Sequence, residues 1–100
     1  MSVIVIGRVP VNSDNLAKIW AERPADFASV AEDAKAQGAV HHQWGFGDGE
    51  VLIIDEWSDA AAFQNFFSSQ PMIPELMAAA GVTGEPKFEI FESRQGPDTF

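Results

Sequence analysis

Residues 39–57 read AVHHQWGFGDGEVLIIDEW. Two runs rich in β-branched and aromatic residues, Val40 to Phe46 and Val51 to Trp57, flank Asp48-Gly49, a strong signal for a two-residue hairpin loop. With that loop in place, Gly47 faces Glu50, Phe46 faces Val51, Trp44 faces Ile53, His42 faces Asp55 and Val40 faces Trp57. Side chains alternate along a strand, so these pairs share one face. Gly45 with Leu52, Gln43 with Ile54 and His41 with Glu56 occupy the other.

This register separates the two histidines of the chain. His41 and His42 point to opposite faces and cannot act as neighbouring ligands of one metal ion, and no third ligand stands at suggestive spacing. No metal site is expected. Each histidine stands opposite an acid. His42 and Asp55 share their face with Trp44 and Trp57, and two readings are open. The pair is an acid/base couple in an aromatic cavity, or it is a cross-strand polar pair that satisfies itself and specifies register. The two tryptophans are either a ligand wall or the core of an interface between subunits. His41–Glu56 reads as a surface pair. The glycines at 47, 49, 81 and 84 serve turns and caps, and none forms a phosphate loop.

Upstream, VIVIGRV (Val3 to Val9) is apolar on both faces, which suits a central strand. Arg8 sits late in it. It is either a strand-end salt bridge or an anion anchor at a cavity mouth. Leu16, Trp20, Arg23, Phe27, Val30 or Ala31, and Ala34 form one helical stripe. Asn12 or Ser13 can cap its start, Pro24 breaks it, and Gly38 ends it. Downstream, Ser58 is placed to cap a helix carrying Phe63, Phe66 and Phe67. SSQP interrupts, and Pro71 opens a further helix with Ile73, Leu76, Met77 and Ala80 inward. KFEIFE makes the last strand.

The order is β-α-β-β-α-β. It predicts an α+β, ferredoxin-like fold, a four-stranded antiparallel sheet with helices on one face. Its two central strands would be VIVIGRV and VLII, the most apolar in the chain. Residues 1–93 form one domain in this reading and 94–100 a C-terminal tail. The face without helices is apolar too, a patch too large for a comfortable monomer. A two-fold homodimer is the expected cover, and Phe100 in the tail could dock on the partner.

Composition narrows the function. Fifteen acids against six bases leave a net charge of −9 over 100 residues. That field opposes nucleic acid and anionic membrane, and no Lys/Arg cluster overturns it. With no cysteine, disulfide and thiolate chemistry are excluded. The N-terminus lacks a signal-peptide pattern and no segment is long enough to span a bilayer, so a cytoplasmic location is the default. Eight Phe and three Trp without Tyr favour apolar walls over polar networks.

At VLIIDEWSDAAAFQNFF, followed by a Pro-led helix and GEPKFEIFE, the chain resembles the dimeric α+β barrel superfamily. It is most similar to small antibiotic-biosynthesis monooxygenase-like proteins, including uncharacterised actinobacterial members. The specific part is a strand ending in Glu56-Trp57-Ser58-Asp59 and leading into a helix with Ala62-Phe63. Members that oxidise phenolic polyketides use no metal or flavin, so the resemblance implies no cofactor. It also implies a cavity between sheet and helices with a Trp at the strand end, here Trp57, and hence His42 and Asp55 facing that cavity. The chain departs from the family pattern at three places. An Asn of some monooxygenases falls on Ile53, a Tyr on Phe63, and an Arg near Met77. Haem-degrading relatives need a later His, which is missing here.

Two functional expectations result. The first is a cofactor-independent monooxygenase-like enzyme acting on a small aromatic or polyketide-like molecule in a cavity near the dimer interface. His42 is its general acid/base, Asp55 the orienter, Trp44 and Trp57 the stacking walls, Ile53 and Phe63 further contacts, and Arg8 a candidate anchor. The second is a non-catalytic homodimeric module that binds a hydrophobic ligand or plays a structural role, with Trp44 and Trp57 buried against the partner.

Overall fold

The computed structural model describes residues 1–100. The chain runs β1 (Val3–Val9), α1 (Ser13–Glu22), α2 (Pro24–Gln37), β2 (Ala39–Phe46), β3 (Val51–Trp57), α3 (Ala60–Ser69), α4 (Met72–Ala80), β4 (Lys87–Glu92). The four strands form one antiparallel sheet in the order β2-β3-β1-β4. This is the expected ferredoxin-like topology, with each crossover split into two helices. No helix is long and apolar enough to cross a membrane.

The breaks follow from local chemistry. Pro24 has no N–H to continue α1, and it opens α2 as its first residue. Arg23 marks the junction. Its guanidinium donates to Asp26 at 2.7 Å and to Glu75 of α4 at 2.8 Å. Those hydrogen bonds, to Asp26 first and Glu75 second, hold its pKa above the ordinary value, so it stays charged at every working pH. Asn12 caps α1, accepting from the Asp14 N–H. The cap of α3 is Asp59, which accepts from the Ala62 N–H at 2.7 Å, not the expected Ser58. The Ser58 N–H donates to the Gly38 carbonyl at 2.9 Å, which ties Ser58, one residue past the end of β3, to the α2–β2 junction.

The sheet has two unlike faces. Val5, Val9, Val51, Asp55 and Trp57 are buried beneath the helices. The outer face carries Ile4, Ile6, Leu52, Ile54 and Phe91, brought together by the pairings Ile6–Ile54, Ile4–Phe91 and Arg8–Leu52. Phe91 is 51% exposed. Under the helices the core has two parts. One gathers Val9, Leu16, Ile19, Val51 and Leu76, the other Val5, Trp57, Phe63 and Phe66.

Two glycines shape this packing. A Cβ on Gly7 would lie 2.5 Å from the ring of Phe88, its cross-strand partner, so the glycine makes room for that ring. Gly38 closes α2 at φ 122°, a conformation that L side chains rarely adopt. A Cβ there would also meet the Ser58 hydroxyl at 2.5 Å. The α2–β2 and β3–α3 junctions are thereby held together at one end of the sheet.

Candidate active site: a histidine–aspartate pair on the wall of an apolar cavity

The hairpin register places His42 directly across from Asp55. The pairs from His41–Glu56 to Phe46–Val51 are those the loop implied. The last pair differs. Ala39, not Val40, stands opposite Trp57, and a bulge at Val40 absorbs the extra residue. Only Gly49 of the loop has a positive φ, at 75°, so the turn is not the type that needs both central residues left-handed.

Asp55 is the only buried charged residue, at 7% exposure. It survives burial because both of its oxygens are occupied. His42 Nδ1 lies 2.5 Å from Oδ1, and the Trp57 Nε1–H donates to Oδ2 at 3.1 Å. A carboxylate at Nδ1 selects the Nδ1–H tautomer of the neutral imidazole and leaves the Nε2 lone pair free. His42 makes no second side-chain hydrogen bond, and its side chain is 43% exposed. The group can therefore take a proton at Nε2 while Asp55 fixes the ring and balances the charge that forms.

Aromatic rings surround the pair. Trp44 meets the His42 ring edge-on at 5.2 Å. Trp57 packs on Phe63 and Phe66 at 5.6 and 5.2 Å. Both tryptophans lie on the helix-covered face, so neither forms the core of an interface across the outer face.

Between sheet and helices lies a cavity of about 620 Å³, within the range of small-molecule sites. All but four of its 28 lining residues are hydrophobic, and the four are Lys35, His41, His42 and Asp55. Trp44, Trp57, Ile53 and Phe63 all line it. It lies within the single chain, beneath α2.

Known proteins share this architecture. SnoaB, a cofactor-independent oxygenase from Streptomyces nogalater, is 21% identical over 98% of either chain, with a TM-score of 0.64. A monooxygenase from the gene ActVA-Orf6 of Streptomyces coelicolor, in complex with nanaomycin D, is 18% identical. The match covers 95% of this chain and 89% of that one, with a TM-score of 0.66. Rv0793 from Mycobacterium tuberculosis is 16% identical over 98% of this chain and all of its own, with a TM-score of 0.62. The chain shares its fold with these and with further solved structures described as antibiotic biosynthesis monooxygenases. No sequence-family profile matches the chain, and no curated protein does.

Within this fold the candidate residues separate. His42, Asp55, Trp44, Trp57, Ile53 and Phe63 gather at the cavity. Arg8 does not. Its side chain leaves the outer face, pairs with Glu50 at 3.2 Å, and is 54% exposed. The alternation that buries Val9 sends Arg8 outward, so it forms the strand-end salt bridge, away from the cavity lining. The His41 ring bonds Gln43 at 2.8 Å, two residues along on the outer face, although the residue also borders the cavity.

Trp20, Phe27 and Lys35 also line the cavity, and the sequence pattern does not single them out as site residues. The signal for the first two was the helical stripe, which marks a face turned inward but does not say whether core or cavity fills it. Trp20 joins the wall through Trp44 at 5.8 Å and Phe46 at 5.1 Å. Lys35 had no signal, being one charged residue on an exposed helix end.

Proposed function

We propose that this protein is a homodimeric, cofactor-independent monooxygenase-like enzyme that acts on a small aromatic or polyketide-like molecule in the cavity beneath α2. The observation that carries this is the His42–Asp55 pair, 2.5 Å apart, on the wall of an otherwise apolar cavity. His42 Nε2 removes the proton of an acidic hydroxyl on the ligand. The resulting oxyanion makes the ring a stronger electron donor towards dioxygen, the oxidant. Asp55 holds the imidazole and stabilises the imidazolium. Trp44, Trp57, Ile53 and Phe63 supply the walls that orient a flat ring system and exclude water.

The three departures from the family's polar equipment, Ile53, Phe63 and Met77, all line the cavity. They leave the proton transfer to His42. The outer sheet face, with Ile4, Ile6, Leu52, Ile54 and Phe91, supports the dimer. Pairing two such faces removes a contiguous apolar patch from water.

The test is oxygen consumption by the wild-type protein with a panel of hydroquinones and anthrone-like phenols. Consumption that scales with enzyme and matches product formation supports the reading. No consumption above the uncatalysed rate with any member of the panel contradicts it.

A further inference from the structure

The polarity of the cavity is not spread evenly. Its four hydrophilic residues come from the C-terminal turn of α2, the start of β2 and the end of β3. Gly38 and Ser58 join these segments through the 2.9 Å hydrogen bond between them. The remaining wall, including Val9, Leu16, Leu76 and Val82, is apolar. A ligand that matches the cavity has an apolar body and a single polar end.

The charge at that end is the informative part. Of the six Lys and Arg in the chain, only Lys35 lines the cavity. The one carboxylate there, Asp55, already accepts from His42 and Trp57, so both of its oxygens face donors. Lys35 is held only by Glu32, at 3.1 Å, and both side chains are about two-thirds exposed or more, at 67% and 74%. An exposed pair of this kind is worth little and exchanges partners readily. Within a protein of net charge −9, the polar end of the cavity thus offers one available cation.

We propose that Lys35 is a specificity-determining residue, and that the cavity selects aromatic molecules bearing a carboxylate, which Lys35 pairs at the mouth while the ring system enters between the tryptophans. This rests on the reading of the cavity as a substrate site. The ammonium reaches the anion on its flexible stem. A carboxylate held there leaves a hydroxyl elsewhere on the same ring system free to meet His42.

Calorimetric titration of the wild type, Lys35→Met, Lys35→Glu and Glu32→Gln with 2-naphthoate and 2-naphthol tests this. Lys35→Met keeps the stem and removes the charge. It is expected to weaken naphthoate about fivefold, the size of one partly exposed ion pair, and to leave naphthol within about twofold. Lys35→Glu weakens naphthoate further, Glu32→Gln strengthens it, and raised salt shrinks these differences. Equal losses for both probes in Lys35→Met, or none for naphthoate, overturn the role of Lys35. Wild-type binding of naphthol but not naphthoate overturns it too, while leaving the proposed function standing. Binding of neither probe to the wild type overturns both.

Discussion

The indole N–H of Trp57 donates to Asp55 Oδ2 across one strand residue, at 3.1 Å, with both side chains buried. Trp57 is therefore a positioning group as well as a wall. It fixes the carboxylate that in turn fixes His42. Trp57→Phe deletes the donor and, at a residue only 1% exposed, also removes the five-membered half of the indole and leaves a cavity. It leaves one oxygen of a buried carboxylate unpaired, which costs about 1–3 kcal/mol. Urea unfolding is expected to show that loss with an unchanged slope. A midpoint equal to wild type would mean that neither the hydrogen bond nor the packing of the indole contributes to stability.

Asp55→Asn separates the role of the pair from its packing. The amide fills the same volume but cannot accept from His42 and Trp57 on both arms, because one arm now donates. The imidazole then loses the fixed tautomer. The expected outcome is a folded protein by circular dichroism, with kcat reduced at least roughly tenfold and KM little changed. Wild-type kcat would show that Asp55 is only a structural partner.

Gly7→Ala tests the close packing of β1 against β4. The added methyl would lie 2.5 and 2.8 Å from two atoms of the Phe88 ring. That ring is confined by Phe63 and Phe67 at 5.2 and 4.6 Å, so it cannot swing away freely. A stability loss of about 1–3 kcal/mol is expected, read from the thermal or urea midpoint. A neutral substitution would show that the ring has room to move.

Ile54→Lys places a charge in the middle of the outer face, opposite Ile6. Sedimentation is expected to give a dimer for wild type and a monomer for the variant, with the helical content of both alike. A wild-type monomer at micromolar concentration would remove the proposed dimer.

The hairpin was legible because two independent signals agreed. Asp48-Gly49 set the loop, and strand alternation then put His42 opposite Asp55 without any reference to the rest of the fold. The helix break at Pro24 was legible for the same reason, since a missing N–H acts locally. Arg8 was not. In VIVIGRV both faces are apolar, so alternation alone did not say which side the helices cover, and that was decided by packing of Val5 and Val9. The bulge at Val40 leaves no mark in composition. Ser58 and Asp59 are both good caps, and Ser58 is instead tied by its own N–H to the carbonyl of Gly38, twenty residues away. Lys35 and Trp20 became visible only when the helices were laid over the sheet and the space beneath them was seen to be unfilled.

The proton-transfer role of His42 is tested most directly by oxygen uptake with His42→Ala, using whichever hydroquinone the wild type oxidises and naphthol binding as the control for an intact cavity. With binding retained, kcat is expected to fall by roughly 10²- to 10⁴-fold, the usual contribution of a positioned general base. Turnover equal to wild type would contradict the assignment of His42 and, with it, the mechanism built on its pairing with Asp55.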